Sequence, residues 1–173
     1  MALLPILTAP DPRLKIKAEP VGQVDAEIAQ LMDDMLETMY DAPGIGLAAP
    51  QVGVSKRVIV VDAAREGAKP EPYLIADPEI LWASEDTKPY DEGCLSVPEF
   101  YESVNRPASI QLRYRDQNNV VQTMDANGLL AVVIQHEMDH LEGILFIDHL
   151  SSLKRNMILR KLKKTKKLQD VSA

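Results

Sequence analysis

The sequence is poor in cysteine and in aromatic residues. Its 173 residues include one cysteine, one tryptophan and two phenylalanines. The single cysteine, Cys94, excludes an internal disulfide, and with it the disulfide-stapled scaffolds of small secreted domains. No apolar run is long enough to span a membrane. The opening stretch from Met1 to Leu7 is apolar but short, lacks a basic lead and is broken by Pro5, so it is expected not to be a signal peptide. Neither an internal repeat nor a low-complexity linker occurs. A single domain over residues 1–173 is therefore expected, in a reducing cytoplasm. What is present is ordinary for a soluble globular chain: 46% hydrophobic, 26% charged, net charge −7.

That charge is unevenly placed. Residues 151–173 hold Lys154, Arg155, Arg160, Lys161, Lys163, Lys164, Lys166 and Lys167 against Asp170 alone, a net of +7; with the whole chain at −7, residues 1–150 carry −14. Leu150, Leu153, Met157, Ile158 and Leu162 supply an apolar side, and Ser151 or Ser152 can cap, so a basic C-terminal helix is expected. It reads either as a solvated face packed on an acidic body or as a contact for a polyanion such as RNA.

Asp25 looks like an N-cap. Ile28, Leu31, Met32, Met35, Leu36 and Met39 follow at helical spacing, so residues 26–40 are expected to form an amphipathic helix with its methionine stripe in the core. Pro43 and Gly44 end it. The stretch from Gly44 to Gln51 is small enough to let backbone approach another group closely. Strands are expected at 57–61, 73–76 and 79–83, with a polar loop over 63–71. Residues 109–114 and 120–124 read as a hairpin around Asp116-Gln117-Asn118-Asn119. This order points to an α+β fold, with short antiparallel strands around a central helix.

That central helix carries the chemistry. An apolar, proline-free run from Gly128 to Ile134 leads into Gln135-His136-Glu137-Met138-Asp139-His140, with Asn127 as N-cap and Gly143 as stop. Residues four apart share a helix face, so His136 and His140 can point two imidazoles at one metal ion. Glu137 stands beside the first, close enough to exchange protons with a coordinated water. A third protein ligand is needed. Where a longer version of this pattern has a third histidine, this chain has Phe146, and no glutamate follows Glu142. Asp148 and His149 are weak downstream candidates; with a two-histidine helix present, the lone thiol of Cys94 reads best as a ligand. Asp139 and Arg106, the latter in a loop before Pro107, are expected to pair behind the site.

Three stretches in one order, Gly44-Ile45-Gly46-Leu47-Ala48-Ala49-Pro50-Gln51, Glu92-Gly93-Cys94-Leu95-Ser96 and Gln135-His136-Glu137-Met138-Asp139-His140, resemble the peptide deformylase family, in particular its bacterial type 1 members. The resemblance runs from near residue 5 to about residue 165. It implies a metal-dependent hydrolase that removes formyl from the N-terminal formyl-methionine of nascent peptides. Cys94, His136 and His140 would hold the ion: Fe²⁺ by family habit, with Zn²⁺ or Ni²⁺ as substitutes. Glu137 would carry the proton. The Gln51 amide and the Leu95 backbone N–H would face the oxyanion. Gly46, Glu92 and Gly93 would meet the peptide, and Ile45, Leu129, Val132 and Val133 the methionine side chain. Many members have arginine where this chain has Tyr101. The family also implies ribosome contact through the C-terminal helix, with no role at DNA or membranes. The alternatives are another H-E-x-x-H metallopeptidase and a non-catalytic ribosome-binding relative; the presence of Gln51, Glu137 and all three ligands speaks against the second.

Overall fold

The structure, a computed structural model, describes residues 2–65 and 67–172; Met1, Glu66 and Ala173, and the side chains of residues 169–172 including Asp170, lie outside that description. Helix α1 spans Ala26–Asp41, and the Asp25 carboxylate caps it by accepting the Ile28 N–H at 2.9 Å. Met32, Met35 and Met39 are fully buried, so the methionine stripe is core.

Five strands form one antiparallel sheet: β1 (Gly46–Ala48), β2 (Val58–Val61), β3 (Tyr73–Ala83), β6 (Ser109–Arg115) and β7 (Val121–Asn127), in the order β1-β2-β3-β6-β7. Strand β2 explains the layering. Its Val58 and Val60 pack with the α1 methionines, while Ile59 and Val61 face Ile134 and Leu141 of helix α2 (Gly128–Leu141). A strand covered on both faces needs no polar alternation, which is why it reads as an unbroken apolar run. Segments 73–76 and 79–83 are one strand rather than two. The register shifts between Ala76 and Glu79, where Asp77 sits in the left-handed region (φ 48°) and accepts the Val21 and Gly22 N–H groups.

Strands β4 (Thr87–Cys94) and β5 (Val97–Pro107) form a separate two-stranded ribbon that carries the cysteine stretch. Arg106 therefore lies on a strand, not in a loop. Helix α3 (Ser152–Ser172) follows, with Ser151 Oγ accepting the Lys154 N–H at 3.2 Å. Only part of its expected apolar side is used. Ile158 and Leu162 pack with Val97, Val104 and Phe146, whereas Leu153 and Met157 are exposed.

Helix α2 stops at Gly143, which is in the left-handed region (φ 74°) and lies against the Lys15 backbone; a Cβ there would stand 2.5 Å from the Lys15 carbonyl oxygen. Gly143→Ala is expected to lose ~2 kcal/mol or more of stability, because both the conformation and the space exclude a side chain. Urea unfolding of the two proteins checks this; equal midpoints would show that the turn relaxes without cost.

Candidate metal centre

Alternation along β4 turns Glu92 and Cys94 toward α2, and helical spacing puts His136 and His140 on the facing side. As a result Cys94 Sγ and one ring nitrogen from each histidine lie within 4.8 Å of one another. Cys94 Sγ is 3.4 Å from His140 Nε2. His136 gives its Nδ1 to the Glu92 carboxylate at 2.9 Å, which leaves its Nε2 to face the same point. Phe146 stacks on the His136 ring with centroids 6.1 Å apart. The weaker candidates are engaged elsewhere: His149 Nε2 bonds Asp139 at 2.8 Å, and Asp148 accepts from the Leu145 N–H and pairs with Lys15.

Glu137 is buried, with its carboxylate oxygens 3.9 Å from the Nε2 atoms of His136 and His140. Burial pushes its carboxyl up to about 7 against the pull of His136. Burial alone would hold His136 down, but the carboxylates of Glu137 and Glu92 and the Cys94 sulfur push it well above the usual histidine range. Burial, with His136 beside it, drives His140 well below. Among the described residues, three buried side-chain polar atoms lack a hydrogen-bond partner, and two of them, Glu137 Oε1 and His140 Nδ1, belong to this cluster. A soft thiolate and two imidazoles, with a buried carboxylate oxygen unpaired beside them, fit a divalent transition-metal ion.

Behind the cluster runs a chain of charge. Arg106, itself buried, grips Glu92 with two hydrogen bonds of 2.6 and 3.0 Å and reaches Asp139 at 2.9 Å. The expected Arg106–Asp139 pair is thus present, but Glu92 is its larger half. Burial opposes its charge, yet the hydrogen bonds from His136 and Arg106 hold the Glu92 carboxyl below the usual range.

Gln51 is oriented by backbone. It lies on a 3₁₀ turn (Ala49–Val52), and its Oε1 accepts the Ala48 N–H at 2.9 Å. That fixes which end is the amide nitrogen: Nε2 lies 3.0 Å from Ser96 Oγ and 3.5 Å from Cys94 Sγ. No signal in the sequence marks Ser96 for this orienting role, and Glu92, expected at the peptide, is instead buried against His136 and Arg106. The period-two face that Glu92 shares with Cys94 was the signal available for the latter.

A cleft of about 740 Å³ opens over the cluster. Ile45, Gly46, Gly93, Cys94, Leu95, Tyr101, His136 and Glu137 are among its lining residues. Val133 lies just behind Gly46, where a Cβ would meet its Cγ1 at 2.8 Å, Leu129 packs half-buried against the core under the sheet, and Val132 is buried. Gln51 and Glu92 are buried beside the cleft, each in contact with the donor cluster.

The chain matches the model of the family described as polypeptide deformylase over residues 3–156. The chain belongs to that family. A peptide deformylase of Phenylobacterium zucineum is 62% identical over 95% of this chain and 97% of its own length. One from Hyphomonas neptunium is 58% identical, over 96% of this chain and 95% of its own length. Among solved structures, a peptide deformylase from Ehrlichia chaffeensis in complex with actinonin superposes with a TM-score of 0.91 at 43% identity, covering 95% of this chain and 98% of that one. Another from Legionella pneumophila gives 0.89 at 46%, covering 98% of both. The family is metal-dependent, and its members remove N-terminal formyl groups by hydrolysis; this chain is such a deformylase. The reading as another H-E-x-x-H peptidase is thereby set aside.

Removing Arg106 leaves Glu92 charged and buried, with the His136 ring as its remaining partner. Arg106→Ala is expected to cost about 3–5 kcal/mol in stability and to weaken metal affinity roughly tenfold or more. Chemical unfolding and competition with a chelator measure the two separately; unchanged metal affinity would reduce Arg106 to a purely structural tie.

Proposed function

We propose that Cys94, His136 and His140 hold one divalent ion, Fe²⁺ in the cell with Zn²⁺ or Ni²⁺ able to replace it. The enzyme then deformylates the N-terminal formyl-methionine of nascent chains in the cytoplasm. The observation that carries this reading is the convergence of the three donor atoms within 4.8 Å on the floor of the cleft. When bound, the ion supplies a Lewis acid that lowers the pKa of a water held on it.

The chain's own groups do the rest. Glu137 takes a proton on the carboxylate oxygen left unpaired in the site and returns it to the departing amine. A carboxyl whose proton affinity is raised by burial suits both halves of that exchange. The Gln51 amide, aimed past Cys94 by its bond from Ala48, and the Leu95 backbone N–H face the oxygen on which charge develops.

Binding geometry follows from the two sheets. Strand β1 is the edge of the five-stranded sheet, and β4 pairs only with β5. Gly46 and Gly93, one on each, line the cleft and present backbone without side chains. An extended peptide between them can hydrogen-bond to both edges. Ile6, Ile45, Leu95, Val97 and Phe100 supply apolar wall for the methionine side chain. No described helix is long and apolar enough to cross a membrane. Helix α3 is anchored through Ile158 and Leu162 and leaves Lys161, Lys163, Lys164, Lys166 and Lys167 exposed, a surface suited to ribosomal RNA.

Glu137→Ala is expected to retain metal and to lose roughly a hundredfold or more in turnover. Metal content by mass spectrometry after anaerobic purification, coupled to formate release from a formyl-Met peptide, tests the ion and the role together. Near-normal turnover by the fully metallated variant would remove Glu137 from the mechanism. Replacing Lys161, Lys163, Lys164 and Lys167 by Glu is expected to abolish co-sedimentation with ribosomes at low salt while leaving turnover of a short peptide within a fewfold. Undiminished co-sedimentation would make the helix a solvated face only.

A further inference from the structure

Asp91, Glu99 and Tyr101 line the cleft at its exposed rim. His136 and Glu137 are buried at its floor, whereas Asp91 and Glu99 are exposed and Tyr101 is 72% exposed at its rim. Glu137 Oε1, buried and without a partner among the described residues, marks the floor as the place for the polar, formylated end. On the deformylase reading above, the residues after the methionine run from that floor toward this rim.

The rim has a definite chemistry. Among the described residues, Asp91 and Glu99 form no ion pair, and no lysine or arginine lines the cleft. Arg106, on the same ribbon, is buried and bound to Glu92 and Asp139, so it offers no charge to the mouth. The Tyr101 ring lies against Gly93, too close for any Cβ there, while most of it faces solvent. An aromatic face beside two free carboxylates is a match for a cation on an aliphatic stem. The stem of lysine or arginine lies on the ring, the charge is attracted to its face, and the carboxylates add a second attraction. A peptide carboxylate meets like charge and no lysine or arginine.

We propose that Asp91, Glu99 and Tyr101 make this deformylase favour formyl-methionyl peptides with basic residues directly after the methionine, and disfavour acidic ones. The carboxylates are solvent-exposed, so the preference is moderate and screened by salt.

Formate release from formyl-Met-Lys-Lys, formyl-Met-Gln-Gln and formyl-Met-Glu-Glu by the metal-loaded enzyme tests this. At low ionic strength, kcat/KM is expected to fall in that order, with roughly a fivefold or larger ratio between the first and last, carried by KM. The ratio is expected to shrink toward one at about 0.5 M salt. In Asp91→Asn/Glu99→Gln it falls to within about twofold of one at low salt, and Tyr101→Arg lowers it as well. Because the ratio is taken within each variant, a general loss of activity or stability does not mimic the effect. Equal kcat/KM for the lysine and glutamate peptides in the wild type, or a ratio unchanged in the double variant, would overturn the inference alone. Absence of formate from all three peptides would overturn the deformylase reading with it.

Discussion

A buried arginine ties the ribbon to the central helix. Arg106 comes from β5, Glu92 from β4, and Asp139 and His136 from α2, and all are joined by hydrogen bonds of 2.6–3.0 Å. Taking such charges out of water costs several kcal/mol per ion. The arrangement is stable only because each charge meets an opposite one with good geometry. The same requirement makes it specific: a ribbon shifted along α2 would part Arg106 from Asp139 and Glu92 from His136. Cys94, two residues beyond Glu92, is thereby brought within reach of His140. Electrostatic pairing behind the site thus places the thiol in front of it.

Two further ties complete the floor. The backbone of Leu7 donates to the Gln51 carbonyl and that of Ala9 to the Ser96 carbonyl, so the N-terminal segment stitches the Gly44–Gln51 stretch to the cysteine stretch. Gln51 then bridges the same two stretches with its side chain. The carbonyl end is spent on Ala48, so only the donating end, shared with Ser96, points toward the Cys94 sulfur.

How much of this was legible in the sequence depends on whether a signal was local. Helix α2 and its two histidines were plain, because spacing four on an apolar helix leaves few alternatives. The methionines of α1 were plain for the same reason. Cys94 was legible only as the best of several candidates, since the partner that selects it is more than forty residues away. The ribbon was not legible at all: most of β4, Thr87 to Asp91, is exposed, so no burial pattern marks it as a strand. Glu92 illustrates the cost of that gap. Without a strand there was no face for Glu92 to share with Cys94, and nothing local to the sequence shows that its carboxylate is buried against His136 and Arg106. Leu153 and Met157 failed in the opposite way, since apolar spacing promised a packed face where the domain offers a partner only to Ile158 and Leu162.

Space, as well as charge, limits what the site can be. A Cβ at position 46 would fall 2.5 Å from Glu137 Oε2 and 2.8 Å from Val133 Cγ1. The β1 backbone therefore runs as close to the central helix as backbone can. This closeness buries Glu137 and raises its proton affinity, because desolvation is the largest influence on that carboxyl. It also brings the free edge of β1 within reach of anything bound over the donors. On the opposite wall Gly93 has the same meaning, with the Tyr101 ring against it in place of a carboxylate. Neither glycine is needed for a turn; both are needed for approach. The G-I-G-L-A-A and E-G-C stretches are thus two walls whose missing side chains leave room for Glu137, Val133 and the Tyr101 ring, and the histidine helix is the floor between them.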